Sequence, residues 1–155
     1  MLDLYDELKN LTARLRESGI DYALCGGLAL AVYGIPRSTV DVDILIERNS
    51  LSETSRIAKN LGYIFRAEPM TFAGGKIEIH RISKPDQETG IWFSLDILLV
   101  TPALQTVWET RKEMEWEEGK ISVVSREGLI LLKSLRGSGQ DVDDIQKLKD
   151  SKDEG

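Results

Sequence analysis

The sequence is poor in the residues that build disulfide frameworks and zinc sites, with one cysteine, Cys25, and one histidine, His80. A lone cysteine excludes a disulfide within the chain, which is typical of a protein from a reducing compartment. A structural zinc ion takes four ligands, mostly cysteine and histidine, so no zinc site is expected either. Cys25 ends the apolar run YALC, and we expect it to be buried as a small hydrophobic residue.

An excess of basic residues is also absent, since 20 Lys and Arg residues stand against 26 Asp and Glu residues and give a formal net charge of −6. This balance disfavours broad non-specific binding to DNA or RNA, which depends on basic patches. The longest uncharged run, residues 22–36, is interrupted by two glycines and is shorter than the roughly 20 residues of a membrane-spanning helix. The opening segment MLDLYDELKN has no apolar signal core. We therefore expect a cytoplasmic protein that does not interact with a membrane.

The remaining sequence alternates between helix and strand patterns. Its 155 residues are enough for one domain, residues 1–155, with a hydrophobic core. Leucines at helical spacing predict an amphipathic first helix over residues 2–18. The predicted order of helices and strands favours an α+β fold with a mixed sheet covered by helices. C-terminal helices are expected at about residues 125–149, followed by a frayed tail at 150–155.

Two carboxylates, Asp41 and Asp43, interrupt a predicted strand at residues 40–46 with the sequence VDVDILI. Residues i and i+2 of a strand point to the same face and lie about 6.6 Å apart. Two carboxylates at that spacing can converge on one cation, and Mg²⁺ commonly takes one or two carboxylates together with substrate phosphates. The same alternation also allows both side chains to face solvent while Val40, Val42 and Ile44 face the core.

A third carboxylate, Asp96, is the single charge in the predicted strand at residues 91–100. A lone carboxylate among apolar residues needs a partner, because an unpaired buried charge is costly. If this strand lies beside the strand that carries Asp41 and Asp43, Asp96 supplies a third metal ligand. The alternative is a salt bridge from Asp96 to a nearby arginine or lysine.

Two glycines, Gly26 and Gly27, follow a predicted strand and precede a predicted helix. Glycines let the backbone approach a ligand closely, and the N-terminus of a helix favours phosphate. A tight turn with no ligand is the alternative. Arg37, four residues before Asp41, either contacts a phosphate or neutralises the acidic pair, and Thr39 could hydrogen-bond in either arrangement.

The segment CGGLALAVYGIPRSTVDVDILI resembles the signature of the nucleotidyltransferase superfamily, which has the DNA polymerase β-like fold. That signature is a glycine pair, a spacer, two carboxylates separated by one hydrophobic residue, and a later third carboxylate. The segment is particularly similar to the branch that contains AbiEii-like and MenT-like toxin nucleotidyltransferases. The matching positions are Gly26, Gly27, Ala29, Gly34, Arg37, Thr39, Asp41 and Asp43, with Asp96 as the third carboxylate.

The resemblance implies a nucleotidyltransferase-like mixed β-sheet flanked by α-helices. It implies that Asp41, Asp43 and Asp96 are catalytic and bind two Mg²⁺ ions, for which Mn²⁺ can substitute. The reaction would transfer a nucleoside monophosphate from a nucleoside triphosphate to an RNA, protein or small-molecule acceptor. The implied setting is a toxin–antitoxin or defence system with an antitoxin partner. The nucleotide-binding residues implied are Gly26, Gly27, Leu28, Arg37, Thr39 and Lys133.

Leu28 stands where many active members of the family have a serine whose hydroxyl contacts a phosphate. This departure favours an alternative, a nucleotide-binding or protein-binding module that keeps the fold without catalysis, whereas the complete set of carboxylates favours the enzyme. For Lys133, the alternatives are a phosphate contact and a solvated helix face. An RNA acceptor would need a local basic groove, whose candidate residues are Arg66, Lys76, Arg81 and Lys133.

Overall fold

The structure is a computed structural model that describes residues 2–35, 38–116, 119–137 and 139–150. The helices are α1 (Leu4–Glu17), α2 (Gly26–Val32), α3 (Leu51–Asn60), α4 (Gln105–Glu109), α5 (Arg126–Arg136) and α6 (Gly139–Asp150). The strands are β1 (Ala23–Cys25), β2 (Asp41–Ile46), β3 (Phe65–Arg66), β4 (Met70–Phe72), β5 (Ile77–Pro85), β6 (Trp92–Leu99), β7 (Lys112–Trp116) and β8 (Gly119–Val123).

The strands described here form one mixed sheet in the order β3-β5-β6-β2-β1-β8-β7, and β4 pairs with β5 beyond the end of β3. At the centre, β2 runs parallel to β6 and antiparallel to β1. The strand β1 in turn runs parallel to β8. This architecture confirms the predicted α+β fold with a mixed sheet flanked by helices. None of the helices in the described ranges has both the length and the apolar character needed to cross a membrane.

The first helix begins at Leu4, two residues after its predicted start, and packs through its leucine stripe. The side chain of Asp3 accepts hydrogen bonds from the backbone N–H groups of Tyr5 and Asp6, and so caps the N-terminus of α1. Leu8, Leu11 and Leu15 are buried in the core. Burial of such side chains contributes roughly 1.5–3 kcal/mol each, so the stripe is the main anchor of α1 on the sheet.

A buried ionic cluster fixes the face of the sheet on which α1 lies. The ammonium Nζ of Lys84, on β5, is 2.6 Å from Glu7 Oε1 of α1. The hydroxyl of Tyr63 donates a hydrogen bond to the same oxygen at 2.8 Å. Side chains alternate along a strand, so Lys84 points away from the face that carries Arg81 and Ser83. The helix α1 therefore lies on the face opposite to Arg81.

The C-terminal helices cover the other face. Ser125 caps α5, with its Oγ accepting a hydrogen bond from Gly128 N–H at 3.0 Å. The helix ends at Gly137, whose φ of 71° is a left-handed conformation that favours glycine. The chain then continues into α6, where Leu148 is fully buried. This arrangement places the inner side of α5 over the strands that carry the predicted site.

Candidate active site

The three predicted carboxylates lie together on neighbouring strands. The parallel register of β2 and β6 pairs Asp43 with Asp96, and Asp41 with Ser94. Paired residues share a face, so the three carboxylates point to the same side of the sheet. Asp96 is buried, whereas Asp41 and Asp43 are half-buried. The predicted adjacency of the two strands is therefore confirmed.

Gly26 is in direct contact with the central carboxylate. Its φ is +69°, and a Cβ placed on it would lie 1.9 Å from Oδ2 of Asp43. The register that pairs Cys25 of β1 with Asp43 of β2 brings the two positions together. Glycine is thus required at residue 26 both by its left-handed backbone and by the carboxyl group packed against its Cα.

Gly27 and Thr39 connect the start of α2 to the start of β2. A Cβ on Gly27 would lie 3.2 Å from Cβ of Thr39. The Thr39 hydroxyl oxygen accepts a hydrogen bond from Asp41 N–H at 3.1 Å. Thr39 therefore fixes the backbone of Asp41 close to the glycines. Its side chain packs within the protein rather than pointing into open solvent.

Of two other residues predicted to bind nucleotide, Leu28 lies apart from the carboxylates and Arg37 lies outside the described residues. The side chain of Leu28 is buried, and it lines a separate cavity with Leu8 and Trp116. Any contact between Leu28 and a nucleotide would therefore be made by its backbone.

Arg81, which sequence reasoning placed only in a basic groove, belongs to this site. It lies opposite Asp96 in the antiparallel pairing of β5 with β6. Its Nε donates to Asp96 Oδ1 at 2.7 Å and its Nη2 donates to Asp96 Oδ2 at 2.8 Å. This is the salt bridge that the sequence left open as an alternative for Asp96. The sequence did not identify the basic residue that pairs with Asp96, because that choice depends on the register of β5 against β6.

The charges of the site act strongly on one another. Removal from water, followed by repulsion from Asp96 and Asp41 and a hydrogen bond with Asp96, raises the pKa of Asp43 well above its usual range. The hydrogen bonds to Asp96, together with the field of Asp96, Asp41 and Asp43, raise the pKa of Arg81 although burial opposes them. Three carboxylates in this arrangement attract a cation, and Arg81 is one that the chain itself supplies.

Lys133 enters the site from α5. Its Nζ lies 3.1 Å from Oδ2 of Asp144 on α6, and the two side chains are only 5% and 2% exposed. The predicted alternative of a solvated helix face is therefore wrong. Asp144 neutralises Lys133 and links α6 to α5 beside the carboxylates. Of the other basic-groove candidates, Arg66 and Lys76 are exposed.

A small cavity of about 90 Å³ joins these groups. Its polar lining comes from Asp43, Arg81, Asp96, Lys133 and Arg136. We call it the carboxylate pocket. Apolar side chains of β4, β5 and α5 complete its walls. Cys25 also lines it and is buried as predicted, and burial raises the pKa of its thiol well above the usual range.

The oxygen donors of the carboxylate pocket fit a hard divalent cation such as Mg²⁺, which binds carboxylates and phosphates. Within the described part of the chain, however, no three His, Cys, Asp or Glu side chains are already arranged as a metal site. Both oxygens of Asp96 are already bonded to a cation of the chain, Arg81. A metal ion that used all three carboxylates would share Asp96 with Arg81 or displace it.

Comparison with protein families gives one match. Residues 11–133 match the family described as "Nucleotidyl transferase AbiEii toxin, Type IV TA system". The matched segment runs from α1 to Lys133 and includes all three carboxylates. A comparison with curated protein sequences gave no match.

Solved structures with the same fold are nucleotidyltransferases of low sequence identity. TM1012 of Thermotoga maritima, a candidate nucleotidyltransferase, is 18% identical, with 94% of this chain and 92% of that chain covered and a TM-score of 0.61. The lincosamide antibiotic adenylyltransferase LnuA, bound to lincomycin, is 22% identical, with coverage of 93% and 95% and a TM-score of 0.58. ANT(2")-Ia in complex with adenylyl-2"-tobramycin is 14% identical, with coverage of 94% and 87% and a TM-score of 0.67. At these identities the likeness establishes the fold.

Proposed function

Since the chain belongs to the AbiEii family of nucleotidyltransferase toxins, we propose that Asp41, Asp43 and Asp96 catalyse Mg²⁺-dependent transfer of a nucleoside monophosphate from a nucleoside triphosphate. Family membership makes the chain a nucleotidyltransferase. The metal, the residues and the acceptor are the proposal. The observation that carries it is the in-register pairing of Asp43 with Asp96, which brings two carboxylates together with Asp41 close by.

The three carboxylates would hold two Mg²⁺ ions, or Mn²⁺ ions in their place. When bound, the metal would neutralise phosphate charge and polarise the reacting oxygens. Asp41 and Asp43 would provide ligands from one strand, and Asp96 would provide its ligand in competition with Arg81. The bidentate contact between Arg81 and Asp96 supports a site whose third carboxylate joins last.

The triphosphate would lie between the glycines and α5. The backbone at Gly26 and Gly27 leaves no side chain between a phosphate and Asp43. Lys133, held in place by Asp144, would present its ammonium to a phosphate without losing much conformational freedom. Such fixed charges favour a reaction that depends mainly on positioning and charge neutralisation.

The proposed acceptor is an RNA, a protein or a small molecule. The family description names toxins of type IV toxin–antitoxin systems, whose members generally act beside an antitoxin and use a nucleotide. Two proteins of the same fold act on small molecules: LnuA is a lincosamide adenylyltransferase, and the ANT(2")-Ia complex contains adenylyl-2"-tobramycin. We propose a hydroxyl or phosphate group as the acceptor, with pyrophosphate as the second product.

Calorimetric titration with each nucleoside triphosphate, first with Mg²⁺ and then with excess chelator, tests this proposal. We expect binding that requires the metal and is lost in the Asp41→Asn/Asp43→Asn variant. Asp21→Asn is the matched control, because Asp21 is exposed and lines a different cavity. Absence of binding by the folded wild-type protein would contradict the proposal. Binding without pyrophosphate release, with RNA, protein and small-molecule acceptors all supplied, would favour the non-catalytic module.

A further inference from the structure

The carboxylate pocket already contains a positive group in contact with its most buried carboxylate. The guanidinium of Arg81 bonds both oxygens of Asp96, at 2.7 Å and 2.8 Å. The Asp96 side chain is 7% exposed, whereas that of Arg81 is 39% exposed. The pair thus joins an almost buried anion to a cation that keeps contact with solvent and could swing outward.

Arg81 is also oriented toward the whole acidic cluster. Its charge is stabilised by Asp41 and Asp43 as well as by Asp96. The pocket has two other basic residues in its lining, Arg136 and Lys133, and Lys133 is paired with Asp144. A planar guanidinium with two parallel N–H groups matches a carboxylate better than an ammonium does. Arg81 therefore does what a divalent cation would do for Asp96, since it neutralises the carboxylate and engages both of its oxygens.

We infer that Arg81 is a resident counter-ion, which holds Asp96 in the nucleotide-free protein and competes with a divalent metal for that carboxylate. This inference rests on the proposed function, because it assumes that Asp96 is a metal ligand. Metal binding to all three carboxylates brings a second cation to Asp96, and repulsion between that cation and the guanidinium opposes binding as long as the two hydrogen bonds hold Arg81 there. Arg81 is thus a positioning residue that sets how tightly the free protein binds metal.

Competition of this kind weakens the apparent affinity for metal, because metal binds only those molecules in which Asp96 is available. The apparent affinity equals the intrinsic affinity multiplied by that fraction of molecules. If the pair is formed in about nine molecules of ten, the apparent affinity for metal is about tenfold weaker than the intrinsic affinity. Removal of the guanidinium eliminates that factor. It also removes the cation that bonds both oxygens of Asp96, so the metal-free protein becomes less stable and gains more stability from added metal.

The test is calorimetric titration of the nucleotide-free protein with Mn²⁺ at pH 8. We expect Arg81→Gln to bind Mn²⁺ about tenfold more tightly than the wild type does. Arg81→Lys should fall between them, because lysine cannot form the bidentate contact. The matched control is Arg48→Gln, since Arg48 also pairs with a carboxylate, Glu78 Oε1 at 2.8 Å, outside the pocket. The affinity of Arg48→Gln for Mn²⁺ should equal that of the wild type.

Thermal unfolding provides the second readout. In chelator, Arg81→Gln should melt at a lower temperature than the wild type. Mn²⁺ should then raise the melting temperature of Arg81→Gln by more than it raises that of the wild type. If the role of Arg81 were merely structural, the melting temperature would fall and Mn²⁺ would raise it by no more than it raises that of the wild type. If Arg81→Gln fails to fold, Arg81→Lys carries the same comparison.

Two results would overturn the inference and differ in what they imply. Equal or weaker Mn²⁺ binding by a folded Arg81 variant, with metal-dependent nucleotide binding intact in the wild type, overturns the counter-ion role alone. Absence of Mn²⁺ binding in both proteins, even with each nucleoside triphosphate present, overturns the counter-ion role and the proposed function together.

Discussion

At residue 26, backbone conformation and space both require glycine, and the two requirements can be measured separately. Gly19 and Gly26 have the same φ of +69°, but a Cβ on Gly19 would meet no atom within 4 Å. Gly19→Ala therefore introduces only the left-handed strain, worth about 1–2 kcal/mol. Gly26→Ala adds a collision with the Asp43 carboxyl group.

We expect Gly26→Ala to lower the free energy of unfolding by more than Gly19→Ala does, as measured by urea denaturation. It should also abolish metal-dependent nucleotide binding, because Asp43 must move away from the position that pairs it with Asp96. Equal destabilisation by the two substitutions, with binding retained in both, would show that Asp43 is free to shift.

At the level of single elements, the sequence predicted best where one residue pattern has one structural solution. The leucine stripe of α1 appears as expected. Ser50 and Glu53 have the sequence spacing of a capping box but do not form one. Ser50 has a helical backbone within a short 3₁₀ turn and makes no side-chain cap, and Glu53 pairs with Arg56 instead.

Other differences arise where tertiary contacts decide. The predicted turn at Gly26 and Gly27 is the first turn of α2, despite the low helix propensity of glycine, since only glycine fits beside Asp43. The strand β4 was not predicted from sequence. It has only three residues, which lie at the sheet margin and are partly or fully exposed, and so short a run is too short to show a strand pattern.

The sequence predicted the carboxylates of the candidate site but not the residues that pair with its charges. The spacing of Asp41 and Asp43 in a strand, and the apolar residues around Asp96, indicated the three carboxylates. The roles of Arg81 and Asp144 depend on strand register and on the docking of α6, which no local pattern encodes.

The ion pair between Glu7 of α1 and Lys84 of β5 allows a prediction of how much the docking of α1 contributes to the free energy of unfolding. Glu7→Gln removes the negative charge opposite Lys84, and both side chains are almost buried, at 10% and 13% exposed. A buried ammonium without its partner is costly, so we expect a loss of about 3 kcal/mol in the free energy of unfolding. Urea denaturation at neutral pH measures it.

The matched control for this prediction is Glu113→Gln. Glu113 faces Lys120 at 3.9 Å, and both side chains are more than half exposed. Exposed pairs contribute about 0–1 kcal/mol, so this variant should unfold almost as the wild type does. A loss for Glu7→Gln as small as that of the control would mean that solvent reaches Lys84.

At the scale of the whole molecule, the carboxylate pocket is too small for its proposed ligand. Its volume is about 90 Å³, whereas pockets for small-molecule ligands are typically about 300–1,000 Å³. The floor of the pocket is a central sheet, and part of its wall is α5. Binding of a nucleoside triphosphate should therefore displace α5 rather than the strands.

Hydrogen exchange followed by mass spectrometry measures this displacement. Saturating nucleotide with Mg²⁺ should change the exchange of amides in residues 126–136, and leave those of α1, on the opposite face, unchanged. Unchanged exchange in α5 on demonstrated nucleotide binding would mean that the ligand occupies the outer surface instead.

The chain order of the site residues has a consequence for biosynthesis. The pocket draws Gly26 and Asp43 from the first third of the chain, Asp96 from the middle, and Lys133 with its partner Asp144 from the last two helices. During translation the carboxylates can assemble once β6 has paired with β2, yet Lys133 is not held until α6 has been made. A nascent chain of this toxin family therefore passes through most of its synthesis without a complete carboxylate pocket, and a product truncated before α6 would keep the three carboxylates but lose the fixed ammonium beside them.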